Sequence, residues 1–344
     1  MGATFQIIGI VSTSARGVAI MIETWVPLLG GLILLVAGGE LLVRGAVQAA
    51  ERIGISPLVI GLTLVGFGTS MPELVTSVQA GLNGSPGIAY GNIVGSNIAN
   101  ILLIAGVSAL ICPIVVARSA LRRDAIVMLA VAAGFAVLAW AVPMGRMAGA
   151  GLVVVLIGYI WFVIHQERGA ADGGALHDKS LALAEVDPGL APPHAVKRLA
   201  VPILIALAGL ILVVAGGSFL VSGAVALARG FGVSETVIGL TIVAVGTSMP
   251  ELITSVIAAL KRHGDVAFGN VVGSNIYNIL GIGGTTALIA PSQVPSEIAG
   301  FDAPVMVAVS LLLVLFAATG LRIGRREGAV LVTGYVAYLW MLWP

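Results

Sequence analysis

Apolar runs of membrane-spanning length follow one another along almost the whole chain, broken by short polar intervals. A helix needs about 20 residues to cross a bilayer. Stretches near 26–48, 57–82, 87–111, 123–142, 149–165, 200–227, 236–260, 267–290, 303–319 and 328–343 meet that length and read as spanning helices. The runs are continuous and do not alternate as barrel strands do, which points to a helical bundle. One interval stands apart. Residues 166–198 hold Glu167, Arg168, Asp172, Asp178, Lys179, Glu185, Asp187, Lys197 and Arg198 together with Pro188, Pro192 and Pro193. That is the composition of a polar, flexible linker. Residues 1–25 read as an N-terminal extension. They lack the basic start, apolar run and small-residue cleavage site of a signal peptide, and Met21 is an alternative start, because the first repeat begins soon after it.

The pattern before the linker returns after it. An offset of 178 relates Gly38 to Gly216, Ser56 to Ser234, Glu73 to Glu251, Ser96 to Ser274 and Asn100 to Asn278, with no gap. The chain therefore divides into a first repeat, 26–165, the linker, and a second repeat, 199–344. Five spans per copy is an odd number, so the second copy lies upside down relative to the first. The fold class is an all-α polytopic membrane protein of about ten helices in two inverted five-helix repeats, a design used by transporters.

Composition agrees. The chain is 58% hydrophobic and 10% charged, against about 25% charged in soluble domains. A net charge of +1 gives no basic surface for nucleic acid. The single cysteine, Cys112, excludes an intramolecular disulfide and reads as a packing residue. His165, His177, His194 and His263 lie in or beside polar intervals without ligand spacing. No cofactor is expected, and no obligate protein partner is evident. All the basic residues except Arg16, Arg146 and Arg229 fall on alternate loops. The positive-inside rule then places both termini outside a plasma membrane and the 166–198 linker in the cytoplasm.

The chemistry concentrates in two stretches. Gly66-Phe67-Gly68-Thr69-Ser70-Met71-Pro72-Glu73 and Ala244-Val245-Gly246-Thr247-Ser248-Met249-Pro250-Glu251 each set a carboxylate, two hydroxyls and a proline inside an apolar run. A carboxylate at membrane depth is costly, so each glutamate is a functional candidate. Each proline removes a backbone N–H and frees a carbonyl one turn back, near Gly68 and Gly246; such carbonyls are ready cation ligands. Helical spacing aligns Gly66, Thr69, Glu73 and Ser77, and likewise Ala244, Thr247, Glu251 and Ser255. The next span in each half repeats oxygen donors every four residues: Asn92, Ser96 and Asn100, then Asn270, Ser274 and Asn278. Asn92, Asn97, Asn270 and Asn275 could equally serve as hydrogen-bonding links between helices. The donors are all hard oxygen, which selects Na⁺, Ca²⁺ or Mg²⁺. Two carboxylates balance one Ca²⁺, or two Na⁺.

Gly-Thr-Ser-Met-Pro-Glu in both halves, each followed by Gly-Asn-(Ile/Val)-Val-Gly-Ser-Asn-Ile, resembles the paired α-repeats of the Ca²⁺/cation antiporter superfamily. The likeness is greatest to its prokaryotic sodium/calcium exchanger branch and covers roughly residues 26–343. The resemblance implies a fold of about ten helices, eight forming a core, with the first and sixth crossing in front of it and sliding. It implies an antiporter with Ca²⁺ and Na⁺ as substrates in a lipid bilayer. Its Ca²⁺ site matches Glu73 and Glu251 with Thr69 and Thr247 beside them. Its Na⁺ sites match Ser70, Ser96, Asn100, Ser248 and Ser274 and the carbonyls of Gly66 and Ala244. Asn278 also occupies a ligand position of the family, where some prokaryotic members and the K⁺-dependent exchangers carry Asp. The amide argues against K⁺ coupling. K⁺- or H⁺-coupled Ca²⁺ antiport is the alternative. An intramembrane enzyme using the two glutamates as acid and base is a remote one, since no nucleophile–base pair accompanies them.

Overall fold

The computed structural model describes residues 24–42, 44–46, 48–49, 68, 70–167, 200–260 and 264–342. Gly66 and Thr69 lie outside these residues, as do most of the N-terminal extension and almost all of the linker. Helix follows the apolar runs. In order come α1 (Thr24–Ala46), α2 (Met71–Leu82), α3 (Pro86–Ile111), α4 (Arg118–Ala141), α5 (Arg146–Glu167), α6 (Ala200–Phe231), α7 (Glu235–Thr247), α8 (Met249–Leu260), α9 (264–289), α10 (Ile298–Ala318) and α11 (Arg325–Leu342). Among the described residues α1, α3, α4, α5, α6 and α10 are long and apolar enough to cross a membrane, and α7 with α8 adds a seventh span bent by 49°. The protein is multi-pass. Of the run expected over 57–82, α2 is the part that falls within the described residues.

The core sits around α3. In its apolar stretch 83% of residues are buried, against 28–39% in the other spans, whose remaining faces are left for lipid. Tyr90, Ile93, Ile98, Ile101 and Ile104 of α3 are fully buried, and so are Phe268, Ile276 and Tyr277 of α9 and Phe135 of α4. Both central helices carry a π-helical turn at matching places, Asn100–Ala105 in α3 and Tyr277–Gly283 in α9. Such turns rotate the residues that follow and recur at functional sites.

The two copies are inverted, as the contact between α1 and α6 shows. Gly31 faces Leu220, Gly38 faces Val213 and Gly45 faces Ala206, so rising numbers on α1 meet falling numbers on α6. Repeat-equivalent helices therefore run in opposite directions. Glycines recur every seven residues on both: Gly31, Gly38 and Gly45 against Gly209, Gly216 and Gly223. A Cβ on Gly216 would stand 2.7 Å from the Leu35 nitrogen, and one on Gly223 2.6 Å from that of Leu28. Lipid offers no hydrophobic drive for helix association, so backbone approach of this kind supplies the van der Waals contact that holds the pair.

Short extended segments close the bundle at both ends. β1 (Ile114–Val115) pairs antiparallel with β2 (Arg322–Ile323), matching Ile114 to Ile323. At the other end Met144 bridges Ser292. Ile114 and Ser292 are 178 apart, whereas Met144 and Ile323 are 179 apart. The second copy thus carries one extra residue ahead of its last helix, a slip the gap-free alignment of the earlier helices does not reveal. Arg146 and Arg325 obey the new offset. The first donates from Nε to the Leu288 carbonyl at 3.3 Å and the second to that of Leu110 at 3.1 Å. Each caps the C-terminal carbonyls of a central helix, where a cation is favourable.

Replacing Gly216 with Ala should separate α1 from α6 and cost about 1–3 kcal/mol. Gly30, with nothing within 4 Å of an added Cβ, should accept Ala without loss. Thermal melting of the detergent-solubilised variants measures both. Equal melting temperatures for the two would contradict the tight seam.

Candidate functional site

Proline places the breaks. Pro72 and Pro250 fall at the starts of α2 and α8 and cannot donate to the carbonyls of Gly68 and Gly246. The serine ahead of each leaves the helical conformation, with φ −86°, ψ 7° at Ser70 and φ −81°, ψ 10° at Ser248. The chain turns there, and the first turn of the next helix presents Glu73 or Glu251. Helix N-termini favour a carboxylate.

The two halves then exchange partners. Ser248 Oγ donates to Glu73 Oε1 at 2.9 Å, and Ser70 Oγ lies 3.3 Å from Glu251 Oε1. Each glutamate is served by the serine of the opposite repeat. Both carboxylates are 1–2% exposed.

A matching asparagine supports each one. Asn92 Nδ2 donates to the Glu73 carbonyl at 3.1 Å and to Ser77 Oγ at 2.9 Å. Asn270 Nδ2 donates to the Glu251 carbonyl at 3.2 Å and to Ser255 Oγ at 2.8 Å. With its nitrogen so engaged, Asn92 turns its oxygen towards α7, where Thr247 Oγ1 donates to it at 3.0 Å, and Ser96 Oγ lies 3.5 Å away. Ser96 Oγ also reaches the Ala244 carbonyl at 3.4 Å. Glycine makes that reach possible. A Cβ on Gly91 would lie 2.9 Å from the Leu240 nitrogen, and one on Gly95 2.8 Å from its Cα, so α3 and α7 touch backbone to backbone.

The structure thus brings together Ser70, Glu73, Ser96, Ala244, Thr247, Ser248 and Glu251. Ser274 and Asn278 are buried on α9, and Asn100 on α3 donates from Nδ2 to Asn275 Oδ1 at 3.0 Å. The side-chain oxygens of Asn100, Asn270 and Asn278 are buried with no hydrogen-bond partner among the described residues. Gly66 and Thr69 lie outside those residues. Among the described residues no group of three or more His, Cys, Asp or Glu side chains gathers. A cation held here would rest on two carboxylates completed by hydroxyl, amide and backbone oxygen.

Asn92, Asn97, Asn270 and Asn275 each donate hydrogen bonds through the amide nitrogen, while the side-chain oxygens of Asn97 and Asn270 are buried with no hydrogen-bond partner among the described residues. Three of them bridge helices, and Asn97 Nδ2 instead donates to Ile93 O of its own helix at 2.7 Å. Sequence reasoning missed another repeated pair. Asp124 accepts from Tyr159 Oη at 2.9 Å and from Arg123 Nε at 2.7 Å, and Asp302 accepts from Tyr338 Oη at 2.8 Å. Both aspartates sit in π-helical turns, Leu121–Ala125 and Ile298–Asp302. That is why α4 and α10 begin five residues before the apolar runs predicted at 123 and 303. The signal was there: an Asp in each copy 178 apart, with a tyrosine one helix later.

Comparison with known proteins adds the family. The family described as sodium/calcium exchanger protein matches residues 23–165 and again 201–343. The chain belongs to this family. It is 37% identical over 341 residues to the sodium/calcium exchanger MaX1 of Methanosarcina acetivorans, covering 92% of this chain and 97% of that one. It is 35% identical to the inner membrane protein YrbG of Escherichia coli, covering 92% and 95%. The solved structure of the sodium-calcium exchanger NCX_Mj soaked with Na⁺ and Sr²⁺ superposes with a TM-score of 0.60 at 32% identity, covering 91% of this chain and 96% of that one. Membership makes this exchanger-family chain a transporter-type antiporter, not an enzyme, and the all-helical two-repeat fold is that of its relatives.

In this exchanger, Asn92→Ala and Asn270→Ala should each cost about 1–3 kcal/mol, since each removes a buried amide that bonds both a backbone carbonyl and a serine hydroxyl of the preceding helix. Ser108 is fully buried with no partner for its hydroxyl among the described residues, so Ser108→Ala should be neutral or stabilising. Melting curves in detergent separate the cases.

Proposed function

We propose that the chain exchanges Na⁺ for Ca²⁺ across the cell membrane by alternating access at a site near the bilayer midplane built on Glu73 and Glu251. One observation carries this reading: the crossed Ser70–Glu251 and Ser248–Glu73 contacts, which set two buried carboxylates, one from each inverted copy, at the junction of the halves. The names of MaX1 and NCX_Mj as sodium/calcium exchangers support the choice of ions.

On this reading Glu73, Glu251, Thr69 and Thr247 hold Ca²⁺. Ser70, Ser96, Asn100, Ser248, Ser274 and the carbonyls of Gly66 and Ala244 complete Na⁺ sites around the same carboxylates, with Asn278 beside them. Ca²⁺ takes six to eight oxygen ligands at about 2.3–2.6 Å and tolerates irregular geometry, which suits carboxylate and hydroxyl oxygens drawn from both repeats. The two carboxylates neutralise one Ca²⁺ or two Na⁺. Both loads need the same oxygens, so one leaves before the other binds, and that exclusion couples the fluxes. The α1–α6 pair, closely joined through its glycines, is the element that slides across the site. Both termini lie outside and the linker is cytoplasmic.

Glu73→Gln and Glu251→Gln should each lower Ca²⁺ flux to below about a hundredth of the parent while the protein stays monodisperse, because a divalent ion losing its hydration needs both charges. The assay is Ca²⁺ uptake by proteoliposomes; normal flux in either variant would remove these residues from the site.

The same vesicles test the coupling ion. Uptake should follow an imposed Na⁺ gradient with choline or K⁺ as the balancing cation alike. Asn278→Asp should keep exchange and gain a pH or K⁺ dependence, because it introduces a titratable group into an apolar setting. A parent protein silent until K⁺ is supplied, or driven by protons instead of Na⁺, would select K⁺- or H⁺-coupled antiport.

A further inference from the structure

Asn275 belongs to neither set of proposed ligands, yet it touches one of them. Its surroundings fix which way its amide faces. The backbone carbonyl of Asn97 can only accept a hydrogen bond, and it lies 3.3 Å from Asn275 Nδ2. Met128 Sδ, a weak acceptor, lies 3.6 Å from the same nitrogen. The nitrogen therefore faces Asn97 and Met128, and Oδ1 faces the opposite way. There it can only accept, so the group opposite must be a donor. That group is the amide of Asn100, with Nδ2 at 3.0 Å. The constraint passes on: with its nitrogen tied to Asn275, Asn100 turns its own oxygen away, and that oxygen is buried with no hydrogen-bond partner among the described residues.

We infer that Asn275 is a positioning residue for Na⁺ binding, holding the Asn100 amide so that its carbonyl oxygen faces the cation. The inference rests on the proposed reading of Asn100 as a Na⁺ ligand. It is asymmetric between the repeats. Asn97, the equivalent of Asn275 in the first copy, spends its amide nitrogen on Ile93 O within its own helix. Among the described residues its side chain makes no hydrogen bond to a proposed ligand, and what Asn275 uses of Asn97 is the backbone carbonyl, which a substitution leaves in place. An amide that must be turned by the protein costs nothing to reorient when the ion arrives, which is the advantage of a pre-set ligand.

The test compares three full-length variants in proteoliposomes, Asn275→Ala, Asn97→Ala and Asn100→Ala, each first checked for monodispersity and melting temperature. The readouts are the Na⁺ concentration for half-maximal exchange and the Ca²⁺ concentration for half-saturation. Asn275→Ala should raise the Na⁺ value about five- to tenfold, the size of one lost polar contact, with the Ca²⁺ value moving less than about twofold. Asn97→Ala should leave both within about twofold. A role in packing alone would move the two repeat-related variants together and would move Ca²⁺ along with Na⁺; either result overturns the inference. A shift in Asn100→Ala without one in Asn275→Ala overturns the positioning role and leaves the ligand reading standing. No shift in Asn100→Ala removes the ligand reading and this inference with it.

Discussion

An ionised carboxylate taken out of water loses hydration worth several kcal/mol even after the protein relaxes around it, and Glu73 and Glu251 are both almost wholly enclosed. That cost governs what stands around them. Each sits in the first turn of a helix, each faces a serine hydroxyl of the opposite copy, and each has its own backbone carbonyl tied down by an asparagine of the following span. The crossed arrangement means that neither repeat holds a finished carboxylate environment by itself. The backbone carbonyls act as anchors because they cannot donate. Each carbonyl decides the direction of one amide, that amide decides the next group, and oxygen is left facing inwards.

Closeness of backbone is the second condition. A hydroxyl as short as that of Ser96 reaches the carbonyl of Ala244 only because Gly91 and Gly95 remove side chains from the α3–α7 contact. The same device at a different spacing, seven residues instead of four, joins α1 to α6. In one place glycine brings polar groups within reach of one another. In the other it makes two long helices lie flush where no polar group is needed. In both, packing contact replaces the hydrophobic drive that a bilayer does not supply.

The repeat, its inversion and the two glutamates were legible in the sequence because each rests on a local pattern: apolar length, a constant offset, an odd number of spans. The contacts between the halves were not, since they join residues more than 150 positions apart, as between Asn92 and Thr247 or Asn100 and Asn275. The early starts of α4 and α10 were hidden for a related reason. Arg118, Arg122 and Arg123 read as loop charges, and the Tyr159 hydroxyl that meets Asp124 lies a full span away. The one-residue slip ahead of the last helix escaped because apolar helices tolerate a shift of register in composition, whereas the strand-like pair Ile114–Ile323 and the bridge Met144–Ser292 do not.

Inverted duplication has a consequence for the energies of the molecule. Turn two identical inverted copies over and the object is unchanged, so under the proposed alternating access the two states would be related by a two-fold rotation, with equal free energy and equal occupancy. Any preference must come from where the copies differ. Some of these differences lie away from the glutamates. Arg123 pairs with Asp124, while Phe301 stands beside Asp302. The closing strands pair over two residues at one end, against a single bridge at the other. A resting bias towards one side of the membrane would then be adjustable by substitution at such outlying positions, with the oxygens around the two glutamates left as they are.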